Sequence, residues 1–193
     1  MNKIFLIIFL LIIIVMAGYF ARPLWVGENK GTDLEEVATT TTVSMSPVGL
    51  QLMGTEFVVP GVGVKVRLTA DIVDYEEGEN VGSVIYLPKD AVTVVEGGKT
   101  FVAAPVAVNT GGTGTFVYLV LFEKTGTTFR QVDDESIGDR IKIEKVETED
   151  GEIAVTIYDR RPDEAFSALP TVKKVLVFTI SGGQLQVETE NEN

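Results

Sequence analysis

From Val43 onward, apolar and polar residues alternate with a period of two, the spacing that sends successive side chains to opposite faces of a strand. The clearest run is Val62-Gly63-Val64-Lys65-Val66-Arg67-Leu68-Thr69-Ala70-Asp71-Ile72, where six apolar residues alternate with small or polar ones. It predicts one half-buried strand. The same pattern predicts strands at 43–53, 56–59, 81–87, 92–95, 100–108, 115–123, 128–132, 140–148, 152–158, 173–181 and 184–188. Turn chemistry separates them: Pro60-Gly61, Glu77-Gly78-Glu79-Asn80, Gly97-Gly98, the stretch 109–114, Thr125-Gly126, Asp150-Gly151 and Gly182-Gly183. Asp150-Gly151 between two alternating runs is a strong hairpin signal. Two runs, 102–108 and 116–122, are apolar on both faces and predict strands at the centre of the fold. The best helical candidate is 162–169, one or two turns starting at Pro162. The predicted architecture is all-β and antiparallel, closed as a barrel or stacked as a sandwich.

The first 26 residues follow another rule, because 21 of them are hydrophobic. Ile4 to Ala21 is 18 residues without a charge. As a helix it would cover about 27 Å, close to the hydrocarbon thickness of a bilayer. The reading is a single N-terminal transmembrane helix at 1–26, running through Ile4, Leu11 and Ala17 to Trp25 at the interface. Lys3 on the short flank favours a cytoplasmic N-terminus and an extracytoplasmic body. The alternative is a cleaved signal peptide, with Val15-Met16-Ala17 as its processing site. Residues 27–42, ending in four Thr, read as a flexible linker spanning roughly 20–25 Å. The body is then 43–193, an extracytoplasmic β domain with an acidic tail.

Composition sharpens this division. The 193 residues are 45% hydrophobic, but outside the first 26 the share falls to about 40%, ordinary for a water-soluble domain. The mean hydropathy of +0.23 therefore describes the N-terminus alone. With no Cys there is no disulfide, thiol nucleophile or Fe–S cluster, and with no His there is no Ser-His-Asp triad or imidazole metal ligand. No cofactor is implied. A net charge of −12 argues against nucleic acid, whose phosphates would repel this surface.

The motifs that invite chemistry are few. Gly111-Gly112-Thr113-Gly114 lacks the following helix and Lys of a phosphate loop, so it reads as a glycine-rich turn. Asn109-Thr110-Gly111 has Asn where an aspartic protease needs one of two carboxylates. Two acidic clusters, Asp71 with Asp74, Glu76, Glu77 and Glu79, and Asp133-Asp134-Glu135, read as solvated loops, with weak Ca²⁺ binding as the alternative. The most distinctive patches set Asp beside Arg at strand ends: Asp139-Arg140, and Asp159-Arg160-Arg161 followed by Glu164. A guanidinium meets a carboxylate in fixed fork geometry, so these groups either lock loops together or bind a carboxylate, sugar or peptide. As catalysts they could serve only as a glycosidase-like carboxylate pair, and no catalytic residue is assigned.

The stretch from Gly111-Gly112-Thr113-Gly114-Thr115-Phe116-Val117-Tyr118, through Ile137-Gly138-Asp139-Arg140-Ile141, to Asp150-Gly151-Glu152-Ile153 and Tyr158-Asp159-Arg160-Arg161-Pro162-Asp163-Glu164 resembles an uncharacterised domain of anchored or lipid-modified extracytoplasmic bacterial proteins. Its motifs run GGSGTFYY, GDRI and YADRxPGE, and the likeness covers about 98–185. Family members carry a D-x-[DN]-x-D-G turn before the first motif, where this chain has Val95-Glu96-Gly97-Gly98-Lys99. The resemblance implies an envelope location and a β fold, and no established activity. A weaker likeness, on 86–92 and 97–102, is to the β-barrel segment of periplasmic efflux adaptors.

Together these readings predict a non-enzymatic binding or assembly domain of the cell envelope. Its partners would be the bilayer, through the N-terminal helix, and an envelope protein or further copies of itself. The alternatives are a carboxylate-dependent envelope glycan hydrolase and a subunit of a surface filament or layer.

Overall fold

The computed structural model describes residues 47–165 and 167–192. The predicted transmembrane helix and linker lie outside the described residues. Among those described, no helix is long and apolar enough to cross a membrane.

The described chain opens on a short helix, α1 (Pro47–Gln51), where alternation predicts a strand. Proline at its head, with φ already fixed near the helical value, favours the first turn over the strand. Gly49 lies directly on Pro88, and the buried hydroxyl of Tyr86 donates to the Gly49 carbonyl at 2.8 Å.

Twelve strands follow: β1 (Glu56–Val58), β2 (Lys65–Arg67), β3 (Ile72–Glu77), β4 (Asn80–Tyr86), β5 (Val92–Glu96), β6 (Lys99–Asn109), β7 (Phe116–Thr125), β8 (Thr128–Asp139), β9 (Lys142–Glu149), β10 (Glu152–Asp159), β11 (Val172–Ser181) and β12 (Gln184–Glu192). Every pairing among them is antiparallel. The long run at 62–72 is not one strand. Gly63, at φ +87, belongs to the β1–β2 turn, and the ladder ends at Arg67 before the bend that leads into β3. Burial still alternates from Val64 to Leu68, so the periodicity reads the faces correctly while overstating the strand. Asp150 and Gly151, at φ +51 and +88, make the two-residue hairpin expected of an Asp-Gly pair, closed by Glu149 opposite Glu152. The segment beginning at Pro162 forms two separate turns, Glu164 N–H to Arg161 C=O at 3.0 Å and Ala168 N–H to Ala165 C=O at 2.8 Å, rather than a continuous helix. β8 runs unbroken through Asp133–Glu135 because two irregularities against β7 absorb the change of pattern there.

The strands make three sheets. The largest follows the order β3-β4-β6-β7-β8, with β5 joining β6 end to end with β4. Pro105 stands in the gap between β4 and β5. Its carbonyl accepts from Leu87 N–H at 3.2 Å on that side, where its missing N–H would also point. A central proline therefore costs the sheet no ladder bond. The second sheet is β12-β11-β10-β9 and the third is the β1–β2 pair.

The large sheet is covered on both faces. On one, α1 and β1–β2 enclose a core of Leu52, Phe57, Val66, Tyr86, Val102, Val106 and Phe122, with the rings of Phe57 and Phe122 edge to face at 6.1 Å. On the other, the four-stranded sheet encloses Phe101, Leu119, Leu121, Ile153, Val155, Ile157 and Phe178. Residues 101–108 of β6 are all buried, as the two-faced apolar pattern requires of a central strand. Each large side chain so enclosed contributes about 1.5–3 kcal/mol relative to exposure. The result is an all-β, sandwich-like domain with a second core on the back of its larger sheet.

Candidate functional site

At one end of the sandwich the β6–β7 loop, the β8–β9 turn and the β10–β11 loop converge, and Asp139, Arg140, Asp159 and Arg160 lie where they meet. The turn after β8 is built by two unusual backbone positions, Gly138 at φ +147 and Arg140 at φ +52. A side chain at Gly138 would run into Ile141. In its left-handed conformation Arg140 turns the chain into β9, while its N–H donates to the Thr115 carbonyl at 2.7 Å.

The side chains complete the junction. Thr115 N–H donates to Asp139 Oδ1 at 3.2 Å, and Asp139 Oδ2 lies 3.1 Å from Arg140 Nη1. Arg140 reaches back into the glycine-rich loop, with Nε donating to Thr113 C=O at 2.9 Å and Nη2 to Thr113 Oγ1 at 3.4 Å. Arg160 then spans to the same turn, its Nη2 donating to the Asp139 carbonyl at 2.8 Å and Nη1 to the Arg140 carbonyl at 3.2 Å. A planar fork meeting two successive carbonyls is a geometry that lysine cannot reproduce.

Asp159 holds the base of the β10–β11 loop. Its Oδ1 accepts from Arg160 N–H at 2.7 Å, its Oδ2 faces Lys174 at 3.4 Å, and its carbonyl accepts from Thr171 N–H at 2.9 Å. Arg161 and Glu164 stand apart from this junction. They close their own turn, Arg161 N–H donating to Glu164 Oε2 at 3.0 Å, with the guanidinium 3.8 Å from Oε1. From this pinned base the loop presents Leu169, 82% exposed, and the neighbouring β7 presents Phe116 at 38%.

The structure thus gathers four of the six predicted residues and gives the other two a local turn. Thr113, Thr115 and Lys174 are members that the sequence reading missed. The Gly111–Gly114 motif could have signalled Thr113, whereas Lys174 sits on an alternating strand and carries no signal of its own. Asp139, Asp159 and Glu164 are each engaged by a cation or a backbone N–H, and the neighbouring Asp163 is exposed.

The other acidic patches have different settings. Leu121 pairs with Asp133 and Val120 with Asp134, so the two side chains leave β8 on opposite faces. Asp134 is held above the ordinary carboxylate range by burial and then by Asp133, against a hydrogen bond from Gln131 that lowers it. Among the described residues, no three His, Cys, Asp or Glu side chains converge as a metal site. On the outer face of the four-stranded sheet, Tyr158 donates to Glu144 at 3.2 Å, and Lys173 bonds the same carboxylate at 2.7 Å. That contact lowers Glu144 and raises Lys173.

No protein-family model, curated protein or solved structure matches the chain.

Proposed function

We propose that the chain is a membrane-anchored extracytoplasmic β domain with a non-enzymatic binding or assembly role in the cell envelope, and that the end bearing Asp139, Arg140, Asp159, Arg160, Arg161 and Glu164 is its contact face. The observation that carries this reading is the junction itself. Three loops are fastened at their bases by Asp139, Arg140 and Arg160, while Leu169 and Phe116 stand out from them. A loop with a fixed base presents an apolar tip at little entropic cost on binding, which is what a recognition surface needs. The uncharged stretch from Ile4 to Ala21 and the resemblance to extracytoplasmic domains support the location.

The engagement of Asp139 and Asp159 favours this reading over a glycan hydrolase, which needs a pair of carboxyls set across the scissile bond. The test is site-specific photo-crosslinking in intact cells, with the photoreactive residue at Leu169 or, as a control, at Ser181 on the far side of β11. A discrete adduct from Leu169 and none from Ser181 is the expected result. No adduct from Leu169, or equal labelling at both, would overturn the assignment of the face. A C-terminal phosphatase fusion reports the orientation independently, being active only if the body lies outside.

A further inference from the structure

We propose that the outer face of the four-stranded sheet is a two-fold interface, on which a second copy of this chain packs with its strands reversed. The inference concerns a surface separate from the loop end and does not depend on it.

The distribution of apolar residues is the first observation. Ile153, Val155 and Ile157 of β10, with Leu176, Phe178 and Ile180 of β11, turn inward and join the second core. The residues between them turn outward. Ala154 lies opposite Val177 and Thr156 opposite Val175, and Tyr158 opposite Lys173. Ala154, Val175 and Val177 belong to neither core. They leave an apolar strip across the middle of the outward face.

Charge is the second observation, and β9 carries it. Lys142 lies opposite Tyr158, Lys145 opposite Thr156, Glu147 opposite Ala154 and Glu149 opposite Glu152, so all four share the outward face. The strand is therefore basic where it begins and acidic where it ends. Its middle is internally balanced, with Lys145 bonded to Glu147 at 2.6 Å and Glu144 to Lys173 at 2.7 Å. Its two ends are not. Lys142 lies 5.7 Å from the centroid of the Tyr158 ring, and among the described residues Lys142, Glu149 and Glu152 make no ion pair. Glu149 and Glu152 stand directly across the ladder from each other, a like-charge relation that is destabilising. The cation and the acids that need partners thus sit at opposite ends of one strand.

A second copy supplies both. A two-fold axis lying between the sheets and running across the strands sets β9 on β9 of the second copy, in the reverse direction. Row by row, Lys142 then meets Glu149 of the second copy, Lys145 meets Glu147, Thr156 meets Ala154 and Val175 meets Val177. Each contact occurs twice, as an isologous interface requires. An axis running along the strands would instead stack the two basic ends together. Four strands about 4.8 Å apart, each eight residues long at about 3.3 Å per residue, cover roughly 500 Å² per copy. That total of about 1,000 Å² is the lower bound of a specific interface, so the dimer is reversible.

The test follows the mass of the full chain in detergent by sedimentation velocity over a concentration series. A reversible dimer is expected. Lys142→Glu sets acid on acid at both ends of the interface and weakens the dimer by about tenfold, and Glu149→Lys with Glu152→Lys sets base on base to the same effect. An equimolar mixture of the two variants recovers the dimer, and so does one chain carrying all three substitutions. Recovery shows at once that the variants are folded and that the two ends meet. The proposal is overturned if the native chain is a monomer throughout, if either variant dimerises as the native chain does, or if neither the mixture nor the triple variant recovers. A dimer held by the N-terminal segment would give the second of these results. Ser181 lies beyond the last row of the contact, and none of these results bears on crosslinking at Leu169.

Discussion

The backbone N–H of Leu185 donates to Asp133 Oδ2 at 2.7 Å, tying the edge of β12 in the four-stranded sheet to β8 in the large one. Gln131, two residues earlier on the same strand, performs the same service for Val58 in the opposite layer. β8 thus caps an edge N–H in each of its two neighbours. Removing Asp133 leaves the Leu185 donor partly buried without its acceptor. Asp133→Ala should cost about 1–3 kcal/mol, read as a lower midpoint in urea, and Asp133→Asn should recover most of it.

Arg160 links the β10–β11 loop to the β8–β9 turn through two carbonyls. Arg160→Ala should cost about 1–2 kcal/mol and Arg160→Lys nearly as much, since an ammonium cannot span both acceptors. Limited proteolysis should show faster cleavage within 160–171 in both variants. An unchanged cleavage rate would mean that Asp159 alone holds the loop.

Gly49→Ala brings a methyl group onto the backbone of Pro88, which has no flexible end to give way. A loss of about 3 kcal/mol is expected, at the upper end of overpacking costs. Tyr86→Phe, which only removes the buried hydrogen bond to the Gly49 carbonyl, should cost about 1 kcal/mol. Thermal unfolding of the two variants separates steric from polar contributions at this contact.

Acid response divides by sign. Lys99 and Arg130 hold Glu123 below the ordinary carboxylate range, and Lys173 does the same for Glu144. Their stabilisation is fully present above the unfolded carboxylate value, about 4.3, and is lost as pH falls through their lowered folded values. Burial raises Asp90 and Asp134, so their ionised forms oppose folding above their raised values, and that opposition fades as pH falls. Asp134→Asn should therefore raise the melting temperature at pH 7 and leave it unchanged near pH 3. Glu123→Gln should lower it at pH 7 and converge with the native protein in acid.

Much of the fold was legible because the alternation is physical: Val81–Leu87, Val92–Val95 and the strands from Thr100 onward sit where period two places them, joined at the Gly- and Asp-Gly turns. Two of the failures concern pairing. Val64, Val66 and Leu68 do face inward, but facing is a property of one chain and a ladder needs a partner, so β2 stops where β1 stops. At Asp133 the pattern changes phase while the strand continues, because its irregularities lie in the pairing with β7. The Asp-Arg motifs come together at one end of the domain. Their acceptors did not announce themselves, since Arg140 and Arg160 bond mostly to carbonyls, which every residue carries.

Pro105 has a consequence for how the centre strand finds its place. A slip of one residue in β6 would exchange Phe101 and Ala103 with Val102 and Ala104 between the two cores, and no charge would meet oil and no apolar group would meet water. Solvent is blind to that error. Proline is not, because only where β4 has ended and β5 has yet to begin does its lack of a donor go unfelt. The one residue of β6 that cannot donate a bond is what keys the strand to its partners.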